Sequence, residues 1–239
     1  MATSLPAADP RRPLRKLTAR TRVPATLATL LALAFAVVST PGCQSDGRQY
    51  ARIETPMGDM RVMLYDETPR HRDNFVKLAG EGYYDSLLFH RVIEGFMVQG
   101  GDPDSRTASP GQVLGQGGPG YTVPAEIGAP HLRGALAAAR LGGPANPDKE
   151  SSGSQFYLVH GRPVAEAQLQ GIERQKGIRY SEAQRAAYAE IGGTPGLDAD
   201  YTVFGEVVEG MEVIDRIAAV DTDRSNRPRE DVWMRITLE

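Results

Sequence analysis

After residue 49 the chain alternates. Residues 50–55, YARIET, and 60–65, MRVMLY, each carry apolar side chains at every second position, and the Pro- and Gly-containing PMGD between them predicts a hairpin. The period then changes. Thr68 reads as a helix N-cap, Pro69 as the first helical residue, Phe75, Leu78 and Ala79 share one face at helical spacing, and Gly80 marks the stop. Further extended runs follow at residues 87–94 (LLFHRVIE), 95–101 (GFMVQGG), 120–127 (GYTVPAEI), 134–140 (GALAAAR), 154–161 (SQFYLVHG), 201–208 (YTVFGEVV) and 231–239 (DVWMRITLE). A second helix is expected in residues 209–220, where Val213, Ile214, Ile217 and Ala218 fall on one side.

Many short strands, glycine turns and few helices predict a mainly β fold, a closed antiparallel barrel with helices capping its ends. Residues 161–195 break the pattern, being rich in Ala, Gln and Glu. There Ser181 and Gln184 make a capping box and Gly192 and Gly193 end the helix, which predicts a helical insertion on the barrel surface.

The first 43 residues have a different character. Six basic residues between Arg11 and Arg22 precede the uncharged run LATLLALAFAVV at residues 27–38. Twelve apolar residues are too few to span a bilayer, which takes about 20, so the segment reads as an export signal. Cys43, the only cysteine, has no disulfide partner, and the GC pair that ends STPGC resembles a bacterial lipoprotein site. The reading is a signal over residues 1–43 with lipidation at Cys43, a linker at 44–49 and a folded domain over 50–239. The setting expected is the bacterial periplasm or cell envelope, with membrane contact only through the lipid. A plain cleaved signal with a free thiol is the alternative.

Beyond residue 43 the chain keeps 21 Lys and Arg against 29 Asp and Glu. No basic block is present, so nucleic acid is not an expected partner. GQGGPG at residues 115–120 has dinucleotide-binding spacing but precedes an extended run containing Pro124, where the fingerprint needs a helix. His71, His90, His131 and His160 lack metal-ligand spacing, and SSGSQ lacks the glycine of a nucleophile elbow. What stands out is an arginine and a glutamine among the apolar residues of FHRVIEGFMVQGGD: Arg91 and Gln99, with Phe96 and Met97 beside them. Strand alternation puts Met97 and Gln99 on one face and Phe96 on the other, unless a bulge at Gly95 turns Phe96 outward. On these residues alone Arg91 is as readily a solvated strand residue as a functional one.

FHRVIEGFMVQGGD, RGALAAAR, GSQFYLVHG and YTVFGEVVEGMEVID, in that order, resemble the cyclophilin-type peptidyl-prolyl isomerases from about residue 50 to 239. The resemblance implies an eight-stranded antiparallel barrel capped by two α-helices, no cofactor and no metal. It implies catalytic roles for Arg91 and Gln99, and a substrate groove of Phe96, Met97, Ala139, Tyr157, Leu197 and Tyr201. Gln99 would either bond the substrate backbone or steady Arg91. Tyr157 stands where the family has phenylalanine, Tyr201 where eukaryotic members have histidine, and Gly196 where many carry tryptophan. The substrates implied are proline-containing unfolded or folding polypeptides, met by a monomer. A proline-segment binding or chaperone module with incidental catalysis is the rival reading.

Overall fold

The computed structural model describes residues 47–239, so the expected signal and Cys43 lie outside the described residues. β1 (Gln49–Thr55) and β2 (Gly58–Leu64) form the expected hairpin, with Thr55 opposite Gly58 across the turn. The strands β3 (Leu87–Leu88), β4 (Arg91–Ile93), β5 (Met97–Gly100), β7 (Ala135–Ala138), β9 (Phe156–Val159), β10 (Val203–Glu209) and β11 (Trp233–Leu238) join them in one antiparallel sheet. Its order is β3-β11-β1-β2-β10-β7-β9-β5-β4. β6 (Thr122–Val123) and β8 (Ser151–Ser152) pair separately.

Nine strands in a curled sheet therefore replace the expected closed barrel of eight. The run LLFHRVIE, expected to be one strand, breaks at Phe89 and His90 into β3 and β4, which are the two end strands of the sheet. Only two residues separate those ends along the chain, so the sheet has to wrap until its first and last strands are neighbours in space. Among the described residues no ladder joins β3 to β4.

The described residues hold four α-helices, the two expected to cap the fold and two in the expected helical insertion. α1 (Pro69–Gly80) and α4 (Met211–Ala218) are the capping helices, and α4 buries the four apolar residues its spacing singled out. At roughly 1.5–3 kcal/mol for each large apolar side chain buried, that face holds α4 on the core. Thr68 precedes α1 but makes no capping bond. The first turn is capped instead by Glu126, whose carboxylate accepts from the N–H groups of Arg70 and His71 at 3.1 and 3.0 Å. A charge at a helix N-terminus gains from the helix dipole as well.

α2 (Glu166–Lys176) and α3 (Glu182–Glu190) make up the insertion, and the Ser181–Gln184 capping box is formed in both directions. Val164, Leu169, Tyr180 and Tyr188 give it a small core of its own.

The apolar run of β7 is buried on both sides. Leu136 and Ala138 point inward, to the main core with Val98, Phe156 and Leu158. Ala135 and Ala137 point outward, to a second apolar cluster with Met97, Tyr157, Val159 and Val203. That outer cluster is where the candidate site lies.

Candidate active site

Register places the site. Arg91 on β4 faces Gln99 on β5, Gln99 faces Tyr157 on β9, and Tyr157 faces Ala137 on β7. Residues opposite one another in register share a face, so one row runs from a cation to an apolar floor across four strands. Arg91 Nη1 donates to Gln99 Oε1 at 3.2 Å, Gln99 Nε2 donates to Gln155 Oε1 at 3.1 Å, and Gln155 Nε2 donates to the Gly117 carbonyl at 2.7 Å. Each amide uses its oxygen toward the arginine and its NH₂ away from it. Gln99 thus steadies Arg91, and Gln155, itself almost wholly buried, steadies Gln99.

The apolar part is built by two strands and two turns. Met97 and Tyr157 form its floor, only 1% and 3% exposed. Phe96, Leu197 and Tyr201 are half-buried around them, and Ala139 closes the cluster. Phe96 packs on the same side as Met97 because it lies in the turn before β5: Gly95 takes φ +73° and Phe96 N–H bonds the Ile93 carbonyl at 3.0 Å. A left-handed residue at this turn favours glycine, and the turn reverses the alternation that a straight strand would impose. All eight groove and catalytic candidates of the domain therefore fall in one region, with the guanidinium at one side and the apolar cluster beside it.

The site has two members that sequence patterns did not disclose. Gln155 immediately precedes β9, at the beginning of the extended run SQFYLVHG, where nothing marked it as different from a strand-entry residue. Arg140 lies two residues past the end of β7 and 4.6 Å from the Tyr201 ring centroid, with Nε donating to the Asp200 carbonyl at 2.7 Å. Its signal was the single charge closing GALAAAR. A depression of about 800 Å³ runs from Gln99 and Gln155 past Ala139 and Arg140 to the glycines of residues 115–120. That glycine turn folds over Asp102, whose Oδ2 accepts from Gly115 N and Gly117 N.

The histidines serve the frame. His71 Nδ1 lies 2.7 Å from Glu126 and its Nε2 lies 2.9 Å from Ser151 Oγ, an arrangement with the order of a hydrolase triad. His71 and Ser151 are both buried, and the adjoining cavity that His71 helps to line measures about 10 Å³. That is the room of one water at most, so no substrate carbonyl can reach the serine. His160 Nδ1 accepts from Gly95 N at 2.8 Å, bracing the turn before Phe96. His90 is buried with neither ring nitrogen hydrogen-bonded, and burial, opposed in part by Asp102, pushes its pKa down to about 4.

One arginine and two glutamines in a hydrogen-bonded row thus lie beside an apolar cluster on the outside of a curled antiparallel sheet. The family model "Cyclophilin type peptidyl-prolyl cis-trans isomerase/CLD" matches residues 50–237. A Staphylococcus haemolyticus protein named as a peptidyl-prolyl cis-trans isomerase is 36% identical over 181 residues, covering 75% of this chain and 85% of its own length. A Streptococcus pyogenes protein named as a bifunctional phosphatase/peptidyl-prolyl cis-trans isomerase is 40% identical over 183 residues, although the match spans 36% of that longer protein. The crystal structure of a Cryptosporidium parvum cyclophilin-type isomerase superposes with a TM-score of 0.59 at 26% identity, covering 80% of this chain and 98% of the other. The chain belongs to the cyclophilin-type peptidyl-prolyl cis-trans isomerases, and its activity is isomerisation of Xaa-Pro bonds.

Proposed function

We propose that Arg91 lowers the rotation barrier by donating a hydrogen bond to the prolyl nitrogen of a substrate whose proline ring rests among Phe96, Met97, Tyr157 and Leu197. The bond between a residue and proline resists rotation because amide resonance gives it double-bond character, with a barrier of about 18–20 kcal/mol. As the bond twists, resonance is lost and the nitrogen lone pair becomes an acceptor. A guanidinium proton aimed at that lone pair meets it only in the twisted state, which is the condition for catalysis rather than mere binding. Arginine has five N–H donors in a rigid fork, so Arg91 can keep one on Gln99 and still offer another.

The observation that carries this reading is the chain Arg91–Gln99–Gln155 beside the apolar cluster, since it holds a cation still without covering it with a carboxylate. The Cryptosporidium parvum relative was also crystallised in the presence of the dipeptide Ala-Pro, which supports an Xaa-Pro segment as the occupant of the groove. Ala139 and Tyr201 would border the chain on either side of the proline. No step of this mechanism requires a cofactor.

The setting proposed with it is export to the cell envelope, with anchoring through a lipid on Cys43 and action as a monomer on folding chains there. Mass analysis of the mature N-terminus tests the anchor, and an unmodified Cys43 would refute it. For the chemistry, cis-to-trans rates on a short Xaa-Pro peptide should fall by about two orders of magnitude in Arg91→Ala, that is ~2.7 kcal/mol of transition-state stabilisation. Lysine, lacking the fork, should recover little. Wild-type and Arg91→Ala rates that coincide would discard the proposal and favour a proline-segment binding module.

A further inference from the structure

The insertion is tied to the proline slot by hydrogen bonds that can be followed atom by atom. Tyr180 and Tyr188, from the core of the insertion, both donate to Asp198 Oδ2, at 2.8 and 2.5 Å. The other oxygen, Oδ1, accepts from the His131 backbone N–H at 2.8 Å and lies 2.8 Å from His131 Nδ1. His131 Nε2 is then 2.9 Å from the hydroxyl of Tyr157. Asp198, His131, Tyr157 and Tyr188 are all buried, so none of these bonds is shared with bulk water.

Proton positions follow from the ends of the chain. Burial raises the Asp198 carboxyl, but hydrogen bonds from His131 and Tyr188 outweigh it and hold the group below the usual carboxylate range. A carboxylate can only accept, so His131 Nδ1 carries the proton directed at Asp198, and a single hydrogen bond joins His131 Nε2 to the Tyr157 hydroxyl. Burial also pushes the phenols of Tyr157, Tyr180 and Tyr188 upward, which keeps their donor protons in place. The links are continuous from the insertion, and the last is an aromatic ring of the slot floor.

Packing lets the links meet. A Cβ on Gly193 would lie 2.3 Å from the His131 carbonyl and 2.7 Å from a ring carbon of Tyr188, so only glycine lets the insertion approach this closely. The imidazole lies nearly parallel to the Tyr157 ring, centroids 6.0 Å apart and planes 14° apart, while Tyr201 meets Tyr157 edge-on at 6.1 Å. Lys176 of α2 donates to the Gly196 and Asp198 carbonyls, each at 2.7 Å, and so holds the loop that carries Leu197.

We infer that Tyr188 and Tyr180 of the insertion are positioning residues for the isomerase reaction, setting the orientation of Tyr157 in the proline slot through Asp198 and His131. The inference rests on the proline slot as described above. Without the tether the Tyr157 ring is free to turn about its side-chain bonds, and part of the slot's grip on the proline ring is spent in re-ordering it.

The test is kcat and KM for an Xaa-Pro peptide with the full chain carrying Tyr188→Phe, Tyr157→Phe or both. The slot holds the proline ring alike in the ground and twisted states, so Tyr188→Phe should raise KM about fivefold with kcat within about twofold. In the Tyr157→Phe background it should change KM no further, because no hydroxyl remains to receive the restraint. A role confined to holding the fold would reduce the active fraction, lowering apparent kcat at constant KM. That outcome, or KM effects that multiply in the double variant, overturns the inference. Arg91→Ala serves as the parallel arm. If it is inactive while Tyr188→Phe keeps the wild-type KM, the relay alone is wrong, whereas an active Arg91→Ala removes the slot reading beneath it.

Discussion

Gln155→Leu removes the second amide of the arginine support while keeping size and burial, and its consequences can be worked from two distances. Gln155 accepts from Gln99 at 3.1 Å and donates to Gly117 at 2.7 Å, so two neutral hydrogen bonds are lost. Each contributes about 1 kcal/mol net, and because Gln99 and Gly117 are both partly exposed, water can re-satisfy them, which puts the loss of stability near 1–2 kcal/mol. The kinetic effect has a separate origin. Gln155 takes the Gln99 NH₂ and thereby commits the Gln99 oxygen to Arg91; without it the amide can flip and present N–H groups to a guanidinium, which donates only. Losing one charge-assisted bond of roughly 1.5 kcal/mol from the reactive geometry corresponds to about a tenfold fall in kcat/KM. Peptide isomerisation rates, measured beside urea unfolding to correct for the folded fraction, read both effects. Wild-type kcat/KM in Gln155→Leu, with Gln99→Leu strongly impaired, would refute the idea that the second amide orients the first.

Other expectations concern the frame. His90 has a folded pKa of about 4 against about 6.5 unfolded, so between these values the unfolded chain takes up a proton that the native state refuses. Stability should be complete above pH 6.5 and decline by up to about 3 kcal/mol toward pH 4, and His90→Leu should flatten that slope in denaturant titrations. Glu126→Ala should lower stability by about 2 kcal/mol and Tm by about 5 °C, since it uncaps α1 and strips His71 of a charged partner. A scan that leaves Tm unchanged would show that water caps the helix equally well.

The hairpin, α4 and the insertion helices were legible because each is set by neighbours in the chain: the turn of residues 56–57, the spacing of Val213, Ile214, Ile217 and Ala218, the Ser181–Gln184 box. Arg91 and Gln99 stood out for a related reason, being polar residues inside apolar strands, although that alone left their role open. Features set by distant parts of the chain were not. Glu126 caps a helix 55 residues away, and Thr68, the local candidate, does not. Gln155 joins Gln99 across 56 residues from the entry to another strand. The division of LLFHRVIE into two end strands depends on where β11 and β5 lie, which no local pattern encodes. The hydroxyl of Tyr157 looked like a minor change from phenylalanine until its partner, His131, was placed beneath it.

The short ends of the sheet bear on how such a catalyst lives among its substrates. Unfolded chains carry unpaired backbone groups and add readily to any long exposed strand. Here the terminal strands span two and three residues, and N–H groups on that stretch are already spent, Phe89 on the Val232 carbonyl at 2.9 Å and Val92 on the Asn226 carbonyl at 2.8 Å. An extended chain therefore meets no long free strand edge here on which it could add as a tenth strand.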